Sequence, residues 1–165
     1  MKRFFKRLIM LTLIPLLIGF SSQVSIAANA TDVASVKAGK KCDKCDLSAA
    51  NLVGVRLVRA KLSNANLRGA RLRGANLRGA DLKRANLSGA ELRKANLRGA
   101  KMANANLSKA NLRGANLRGV DFRNANLRGA DFKDAILNGA KLKGAKIKGA
   151  QFDGATGVNL DGTKQ

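Results

Sequence analysis

The two cysteines are the residues of this sequence best suited to chemistry beyond packing. Cys42 and Cys45 stand in a Cys-x-x-Cys motif, and the 165-residue chain has no other cysteine. A pair at this spacing forms a structural disulfide, works as a redox couple or supplies two ligands to a metal. The other residues of the sequence help to choose between these three uses.

The surrounding residues argue against most of the redox and metal uses. A closed zinc site needs four ligands, and a chain without His or a third Cys cannot complete one by itself. Attachment of c-type haem requires His directly after the second Cys, where Asp46 stands. A thioredoxin-like couple needs a βαβ context, which this sequence lacks. We predict a structural disulfide formed in an oxidising compartment, with reduced or redox-labile thiols and a metal shared between chains as alternatives.

Candidates for catalysis are missing elsewhere in the chain. Without His, no imidazole is present to activate the hydroxyls of Ser48, Ser63, Ser88 and Ser108, which we expect to point outward. The ten acidic residues are scattered, mostly beside Lys or Arg. We therefore predict a protein that is not an enzyme, has no catalytic or metal-binding residues and uses no cofactor.

A five-residue repeat positions nearly all of these side chains. Its cleanest copy is Ala75-Asn76-Leu77-Arg78-Gly79, and 21 such units run without insertion from residue 50 to residue 154. The first position is Ala in 19 units and Val in two, and the third is Leu in 16 and Met, Ile or Phe in the others. The remaining positions are polar, charged or Gly almost throughout. Residues 45–49 form one further unit, with Cys45 in the Ala position.

A period of five fits neither a helix nor a flat strand. On an α-helix five residues turn through about 500°, so successive Leu drift by roughly 140° and form no stripe. On a strand, an odd repeat sends every second Leu to the opposite face. A corner once per unit removes the conflict, because Ala and Leu then both point inward while Gly at the fifth position accommodates unusual backbone angles. The pattern predicts a solenoid whose coils stack through backbone hydrogen bonds.

The units follow the pattern A(D/N)LXX, and over about two thirds of its length the sequence resembles the pentapeptide-repeat family. The resemblance implies an all-β fold, a right-handed quadrilateral β-helix with four units per coil. Residues 45–154 then make about five and a half coils, a rod about 25 Å long at the usual inter-strand spacing of about 4.8 Å. The motif around Cys42 and Cys45 also resembles the N-terminal segment of some exported members.

With four units per coil, residue n lies above residue n+20, and side chains form columns along the rod. An inward column is expected to form a core ladder of Leu52, Leu72, Leu92, Leu112 and Phe132. Two outward columns on adjacent faces are rich in basic residues of the fourth position. The first column is Val53, Arg73, Arg93, Arg113 and Lys133. The second column is Val58, Arg78, Arg98, Arg118 and Asn138.

Two other outward columns suggest structural roles. One alternates in sign, and its charges should neutralise each other across rungs; it contains Lys61, Asp81, Lys101, Asp121 and Lys141. The other is a column of amides that can hydrogen-bond along the stack; it contains Asn66, Asn86, Asn106 and Asn126.

Both ends of the chain depart from the repeat. Residues 1–30 have a basic start, an apolar run from Leu8 to Phe20 and small residues after it, which is typical of a secretory signal peptide cleaved after Ala27 or Ala30. An uncleaved membrane anchor is the alternative. Residues 31–44 should form a cap or linker with a short helix N-capped by Thr31, and residues 155–165 a C-terminal cap or tail. We expect a periplasmic or extracellular protein, or a thylakoid-lumen protein if the source is a cyanobacterium.

The basic charge narrows the possible partners. The formal net charge is +22, of which four positive charges fall in residues 1–30. Arg ladders suit phosphate and carboxylate groups, so we expect an anionic polymer, an anionic membrane surface or an acidic protein as partner. The alternative is a structural or protein–protein interaction solenoid whose charge merely maintains solubility. No aromatic side chain is left outside the core to stack on bases, which argues against sequence-specific nucleic-acid recognition.

The family resemblance offers one activity that this chain does not match. Some pentapeptide-repeat proteins mimic DNA and protect DNA gyrase, which requires an acidic rod in the cytoplasm. This chain is strongly basic and carries an export signal. We therefore predict an exported, non-enzymatic scaffold or binding protein, with an end-to-end homodimer as a possible assembly.

Overall fold

Parallel bridges between residues twenty apart define the architecture of the computed structural model, which describes residues 29–39 and 41–165. Asn51 pairs with Arg71, Arg71 with Glu91, and the series continues along all four faces. Each bridge is one residue long, and no longer strand forms in the described ranges. Four five-residue units thus make one coil, and the chain is the predicted right-handed quadrilateral β-helix.

Tight turns at the fourth and fifth positions make the corners. In the unit that begins at Ala75, the Ala80 N–H donates to the Leu77 carbonyl at 3.0 Å, and Gly79 has a φ of 65°. A hydrogen bond from the N–H of the fourth residue to the carbonyl of the first, with positive φ at the third residue, is the geometry of a type II turn. Positive φ also occurs at ten non-glycine residues, all at fifth positions, among them Lys94 and Asp134. The predicted unusual backbone angles are confirmed, and they persist where Gly is absent.

The backbone hydrogen bonds of one unit leave a single donor without a main-chain partner. The N–H groups of Leu77 and Gly79 donate to the next coil at 2.7 and 2.9 Å, and that of Asn76 to the coil before at 2.9 Å. The fourth-position N–H, here Arg78, instead donates to the Asn76 Oδ1 at 3.3 Å. Asn or Asp at the second position therefore completes the hydrogen bonding of the backbone, which explains its frequency.

The interior is filled by the first and third positions. Leu52, Leu72, Leu92, Leu112 and Phe132 lie one above the other and have no exposed surface. The column continues with Phe152, whose ring stacks on that of Phe132 with centroids 5.0 Å apart. Phe122 meets Phe132 edge-on from the opposite face of the coil, with ring centroids 6.1 Å apart. The core is thus one continuous apolar ladder that turns aromatic toward the C-terminal end.

One helix covers the N-terminal end of the solenoid. Helix α1 spans Ala30–Lys37, and its N-cap is Asn29, whose Oδ1 accepts the Thr31 N–H at 3.0 Å. The prediction that Thr31 is the N-cap is wrong, because the extended backbone at Asn29 already places an amide oxygen over the first turn. Val36 is 1% exposed, and the Asp32 carboxylate accepts the Asp46 N–H at 2.9 Å.

The C-terminal segment leaves the register of the coils after Thr156. Thr156 still bridges to Ile136, twenty residues earlier, whereas Lys164 bridges to Lys146, only eighteen residues earlier. The backbone leaves the twenty-residue register at Gly157 and there crosses close to Asn138 of the coil before. An added Cβ on Gly157 would lie 2.6 Å from the Asn138 backbone. Glycine is therefore the residue that fits this crossing, and the tail closes part of the last coil.

The signal-peptide prediction falls almost entirely on residues 1–28, outside the described ranges. Within residues 29–39 and 41–165, no helix is long and apolar enough to cross a membrane.

Candidate anion-binding faces

Five arginines occupy exposed turn positions on two neighbouring faces of the rod. We call these two faces the arginine faces. The first carries Arg73 and Arg93, and the second carries Arg78, Arg98 and Arg118. All five side chains are exposed, because the fourth position of each unit lies in the corner turn and points away from the core. Successive rungs of parallel strands are about 4.8 Å apart, so each column is a close series of like charges.

Ion pairs neutralise the C-terminal end of the first column. Arg113 lies 3.7 Å from the Asp131 carboxylate and 3.8 Å from that of Asp134, and the Lys133 Nζ lies 3.5 Å from Asp153. The side chains of Asp134 and Asp153 are 68% and 78% exposed, so these contacts contribute little to stability. These ion pairs nevertheless distinguish Arg113 and Lys133 from the five arginines of the arginine faces. The twenty-residue register places Lys133 directly above Asp153, a relation that the sequence already contained.

The five exposed arginines have no carboxylate partner within the described part of the chain. Two unit charges about 5 Å apart repel by about 0.8 kcal/mol in bulk water, and salt lowers this further. The rod tolerates such repulsion because long side chains can splay. An anion bound between the rungs would remove it.

The amide column is a hydrogen-bonded ladder in the structure. The Asn126 Nδ2 donates to the Asn106 Oδ1 at 3.1 Å, and the Asn106 Nδ2 donates to the Asn86 Oδ1 at 3.4 Å. At the N-terminal end, the Asn66 Nδ2 donates to the Asp46 Oδ1 at 3.0 Å. The expectation of hydrogen bonds along this stack is confirmed for these pairs. The side-chain amides of this column therefore bind to each other within the rod.

The alternating column does not form ion pairs across its rungs. Asp121 instead forms a bidentate pair with Arg123 of the same unit, at 2.8 and 2.7 Å, because second and fourth positions lie side by side at the turn. These hydrogen bonds lower the pKa of Asp121 and raise the pKa of Arg123. Among the described residues, no salt bridge joins Asp121 to Lys101 or Lys141. The charge of Lys141, one rung away, adds to the hydrogen bonds from Arg123 in lowering the pKa of Asp121, which agrees with the expected neutralisation across rungs.

The cysteine pair lies at inward positions of the coil. Cys42 and Cys45 form a disulfide with their Cα atoms 5.3 Å apart, and Cys42 is 1% exposed. The Cys42 N–H donates to the Lys61 carbonyl at 3.0 Å, the bond that third-position residues make elsewhere in the rod. Cys42 thus takes the Leu position of a unit that precedes residue 45, and the coil begins earlier than the sequence suggested.

No cluster of side chains that could hold a metal ion lies in the described part of the chain. Three or more His, Cys, Asp or Glu residues do not converge anywhere within it. Ser48 is expected at an outward position, yet it is 7% exposed, and its N–H donates to the Asp46 Oδ1 at 3.0 Å. Hydrogen bonds from the Ser48 hydroxyl and backbone lower the pKa of Asp46. Ser63, Ser88 and Ser108 are half-buried.

The fold and its flat faces define a repeat solenoid, a scaffold and protein-interaction fold rather than a cleft built for chemistry. A profile of pentapeptide repeats matches eight copies over residues 41–79, 80–119 and 121–156. The chain belongs to the pentapeptide repeat family. No curated protein sequence matches it.

Three solved structures to which the chain is similar come from a plant and two cyanobacteria. A pentapeptide repeat protein from the thylakoid lumen of Arabidopsis thaliana is 39% identical, with a TM-score of 0.57, and the match covers 59% of this chain and 68% of that one. HetL of the cyanobacterium Nostoc, involved in heterocyst differentiation regulation, is 34% identical, with a TM-score of 0.39 and coverage of 76% and 67%. Rfr23 of the cyanobacterium Cyanothece is 26% identical, with a TM-score of 0.48 and coverage of 81% and 97%.

Proposed function

We propose that this protein is an exported, non-enzymatic scaffold that binds an anionic polymer along its two arginine faces. The observation that carries the proposal is the set of five exposed arginines that have no carboxylate partner among residues 29–39 and 41–165. The polymer is held by phosphate or carboxylate groups, which a guanidinium binds through two parallel hydrogen bonds. Core positions hold the Phe side chains of the rod, so contacts with the polymer are ionic and independent of base sequence.

A linear partner fits this surface better than a compact one. The arginines are arranged in two straight columns with one cation per rung, and the two columns run along successive corners of the rod. A flexible polyanion can follow a column and release its counterions at each contact. Acidic proteins and anionic membranes are the competing ligands in the experiment below.

Two variants with equal changes of charge test the proposal. In the ladder variant, five arginines of the arginine faces become Gln: Arg73, Arg93, Arg78, Arg98 and Arg118. In the control variant, five exposed basic residues of the other two faces become Gln: Arg68, Lys83, Arg84, Arg128 and Lys148. Neither set contains a core residue or a residue in an ion pair of the described chain. Retention is measured on polyphosphate, lipopolysaccharide and acidic-protein supports across a salt gradient.

The salt dependence of binding gives the result. We expect the ladder variant to elute at much lower salt than the control variant, with a slope of log affinity against log salt that is shallower by up to about 4, since each phosphate contact contributes about 0.7 to 0.9. Equal elution of the two variants would mean that net charge alone drives retention, and the proposal would fail. Preference for the acidic-protein support over polyphosphate would overturn the choice of a polymer.

Export is the second part of the proposal, and the N-cap supports one cleavage site over the other. Asn29 caps helix α1, and its N–H donates to the Asp46 carbonyl at 3.1 Å. Cleavage after Ala27 leaves Asn29 in place, whereas cleavage after Ala30 removes it. We expect the mature chain to begin at Ala28. Mass spectrometry of the protein recovered from the periplasm or a comparable exported fraction checks this, and an intact Met1 start there would refute cleavage.

The proposal of export also predicts the compartment of the mature protein. An export signal and a disulfide both fit the periplasm or the extracellular space, and the likeness to a thylakoid-lumen protein fits the lumen if the source is a cyanobacterium. Fractionation of the native organism distinguishes these locations. Recovery of the protein only from the cytosol would overturn the proposal of export.

The second candidate function is a protein–protein interaction solenoid with incidental charge. It is favoured by the ion pairs of Arg113 and Lys133, which show that the chain partly compensates its own basic column. An end-to-end homodimer belongs to this candidate, because the ends of a solenoid expose unpaired backbone. Sedimentation of the purified protein tests the dimer, and a single monomer species over the whole concentration range would contradict it.

A further inference from the structure

A small cavity with a basic rim lies between helix α1 and the first coil. Its volume is about 290 Å³. The apolar part of its lining comes from Val36 at the end of the helix and from Leu57, Val58 and Ala60 of the first coil. Four cations surround these residues: Lys41, Arg56, Arg59 and Lys61. No acidic side chain lines the cavity, and the four cations make no ion pair within the described part of the chain.

The cavity exists because the helix covers the first coil incompletely. Ala80 of the second coil is fully buried, whereas Ala60, its equivalent in the first coil, is only half-buried. Leu57 is 2% exposed, so the helix seals the third position but leaves the corner beside it open. Val58 also departs from its column, which continues with Arg78, Arg98 and Arg118. The apolar floor is thus a local property of this end.

The backbone adds donors to the cations. In later coils the second-position N–H donates to the coil before, as Asn76 does to the Val55 carbonyl at 2.9 Å. Arg56 occupies that position in the first coil, and its N–H donates no hydrogen bond within residues 29–39 and 41–165. The Val58 N–H has no partner there either, because Arg56 lacks the side-chain oxygen that Asn or Asp supplies at the second position. Two peptide donors therefore accompany the four cations.

We propose that this cavity binds a small amphiphilic anion, a carboxylate with a medium-length alkyl chain. The alkyl chain would pack on Val36, Leu57 and Val58, and the carboxylate would accept hydrogen bonds at the cationic rim. A water molecule takes about 30 Å³ in the liquid, and alkyl carbons are of similar size, so the cavity holds roughly ten heavy atoms. Octanoate has this size and serves as the probe.

Binding of matched probes to the purified protein tests the proposal by nuclear magnetic resonance titration. We expect octanoate to bind saturably and to shift the amide signals of Arg56 and Val58. Acetate lacks the chain and octanol lacks the charge, so each should bind at least about tenfold more weakly, a difference of about 1.4 kcal/mol. Octanol binding as tightly as octanoate, or octanoate shifts confined to the arginine faces, would overturn the proposal.

Variants locate the site and separate it from the arginine faces. Val58→Arg follows the pattern of its own column, so it should fold normally while placing a polar, bulky side chain on the cavity floor. We expect it to weaken octanoate at least about tenfold, and Arg56→Gln to weaken it severalfold. Arg98→Gln, two coils away on the same face, is the matched control and should leave the affinity unchanged. Equal weakening by R98Q and R56Q would show that octanoate responds to overall charge, and the site would be rejected.

Discussion

Removal of Asn106 should destabilise the rod more than removal of any second-position amide that makes only its turn bond. The Asn106 Oδ1 accepts the Ser108 N–H at 3.1 Å and the Asn126 Nδ2 at 3.1 Å, while its Nδ2 donates to Asn86 at 3.4 Å. Asn96, by contrast, makes one such bond, to the Arg98 N–H at 3.2 Å. Asn106 thus makes three side-chain hydrogen bonds and Asn96 makes one, at equivalent positions of the repeat.

The size of the difference follows from these bonds. A typical intramolecular hydrogen bond contributes about 0.5 to 1.5 kcal/mol to stability, and partly exposed bonds lie at the lower end. Asn96→Ala should therefore lower the free energy of unfolding by about 1 kcal/mol, and Asn106→Ala by about 2 kcal/mol. Both side chains are half-buried and lie outside the core, so no cavity term is added to either value.

Equilibrium unfolding in urea, followed by circular dichroism, measures both variants against the wild type. Repeat proteins can lose cooperativity, so the comparison requires m values equal to that of the wild type. A double-mutant cycle of Asn106→Ala with Asn126→Ala isolates the bond between the two amides. The reasoning would be refuted if N106A were no more destabilising than N96A, or if the cycle gave no coupling.

Three further predictions concern charge, the disulfide and the aromatic core. The pKa of Asp46 is lowered, chiefly by the Ser48 hydroxyl and backbone, so its contribution is present at neutral pH and is lost as pH falls below about 4 through the folded-state pKa. The free energy of unfolding measured between pH 6 and 3 should thus fall more steeply in the wild type than in Asp46→Asn, and identical profiles would contradict this. Replacing both Cys42 and Cys45 with Ala should cost about 2 kcal/mol in urea unfolding, the loop-closure value for so short a loop, and no loss would mean that the cross-link does not stabilise this end. Phe132→Leu restores the commonest third-position residue but removes two ring contacts, with centroid distances of 5.0 and 6.1 Å. It should lower the melting temperature by several degrees, which corresponds to a loss of about 1 to 2 kcal/mol in the free energy of unfolding. An unchanged melting temperature would argue against a stabilising role of these contacts.

The sequence predicted the fold because every unit repeats the same pattern of apolar and corner positions. Ala and Leu two residues apart must share a side, and an odd period forbids a flat strand, so a corner in each unit is required. The family resemblance then supplied four units per coil, and the register of n with n+20 followed. The confirmed amide ladder of Asn86, Asn106 and Asn126 came directly from that register.

The candidate surface could be predicted only in part. The register placed the arginines in columns, but it did not show which of them find a carboxylate. Arg113 reaches Asp131 and Asp134, which lie at offsets of eighteen and twenty-one residues, and such diagonal contacts depend on side-chain length and rotamer. Asp121 prefers Arg123 of its own unit for the same reason.

By itself, the sequence determined the features that repeat: the corner in each unit, the inward Ala and Leu, and the stacked columns. The corner and the inward side chains follow from side-chain direction and period, and the columns follow once the family resemblance supplies four units per coil. Tertiary structure decided what happens where the repeat ends, because an end has no preceding coil to supply its hydrogen bonds. Asn29 rather than Thr31 caps the helix, Cys42 takes a Leu position, and Arg56 keeps an N–H without a partner in the described chain. Such features depend on which distant segment covers the last coil, and no local pattern encodes that contact.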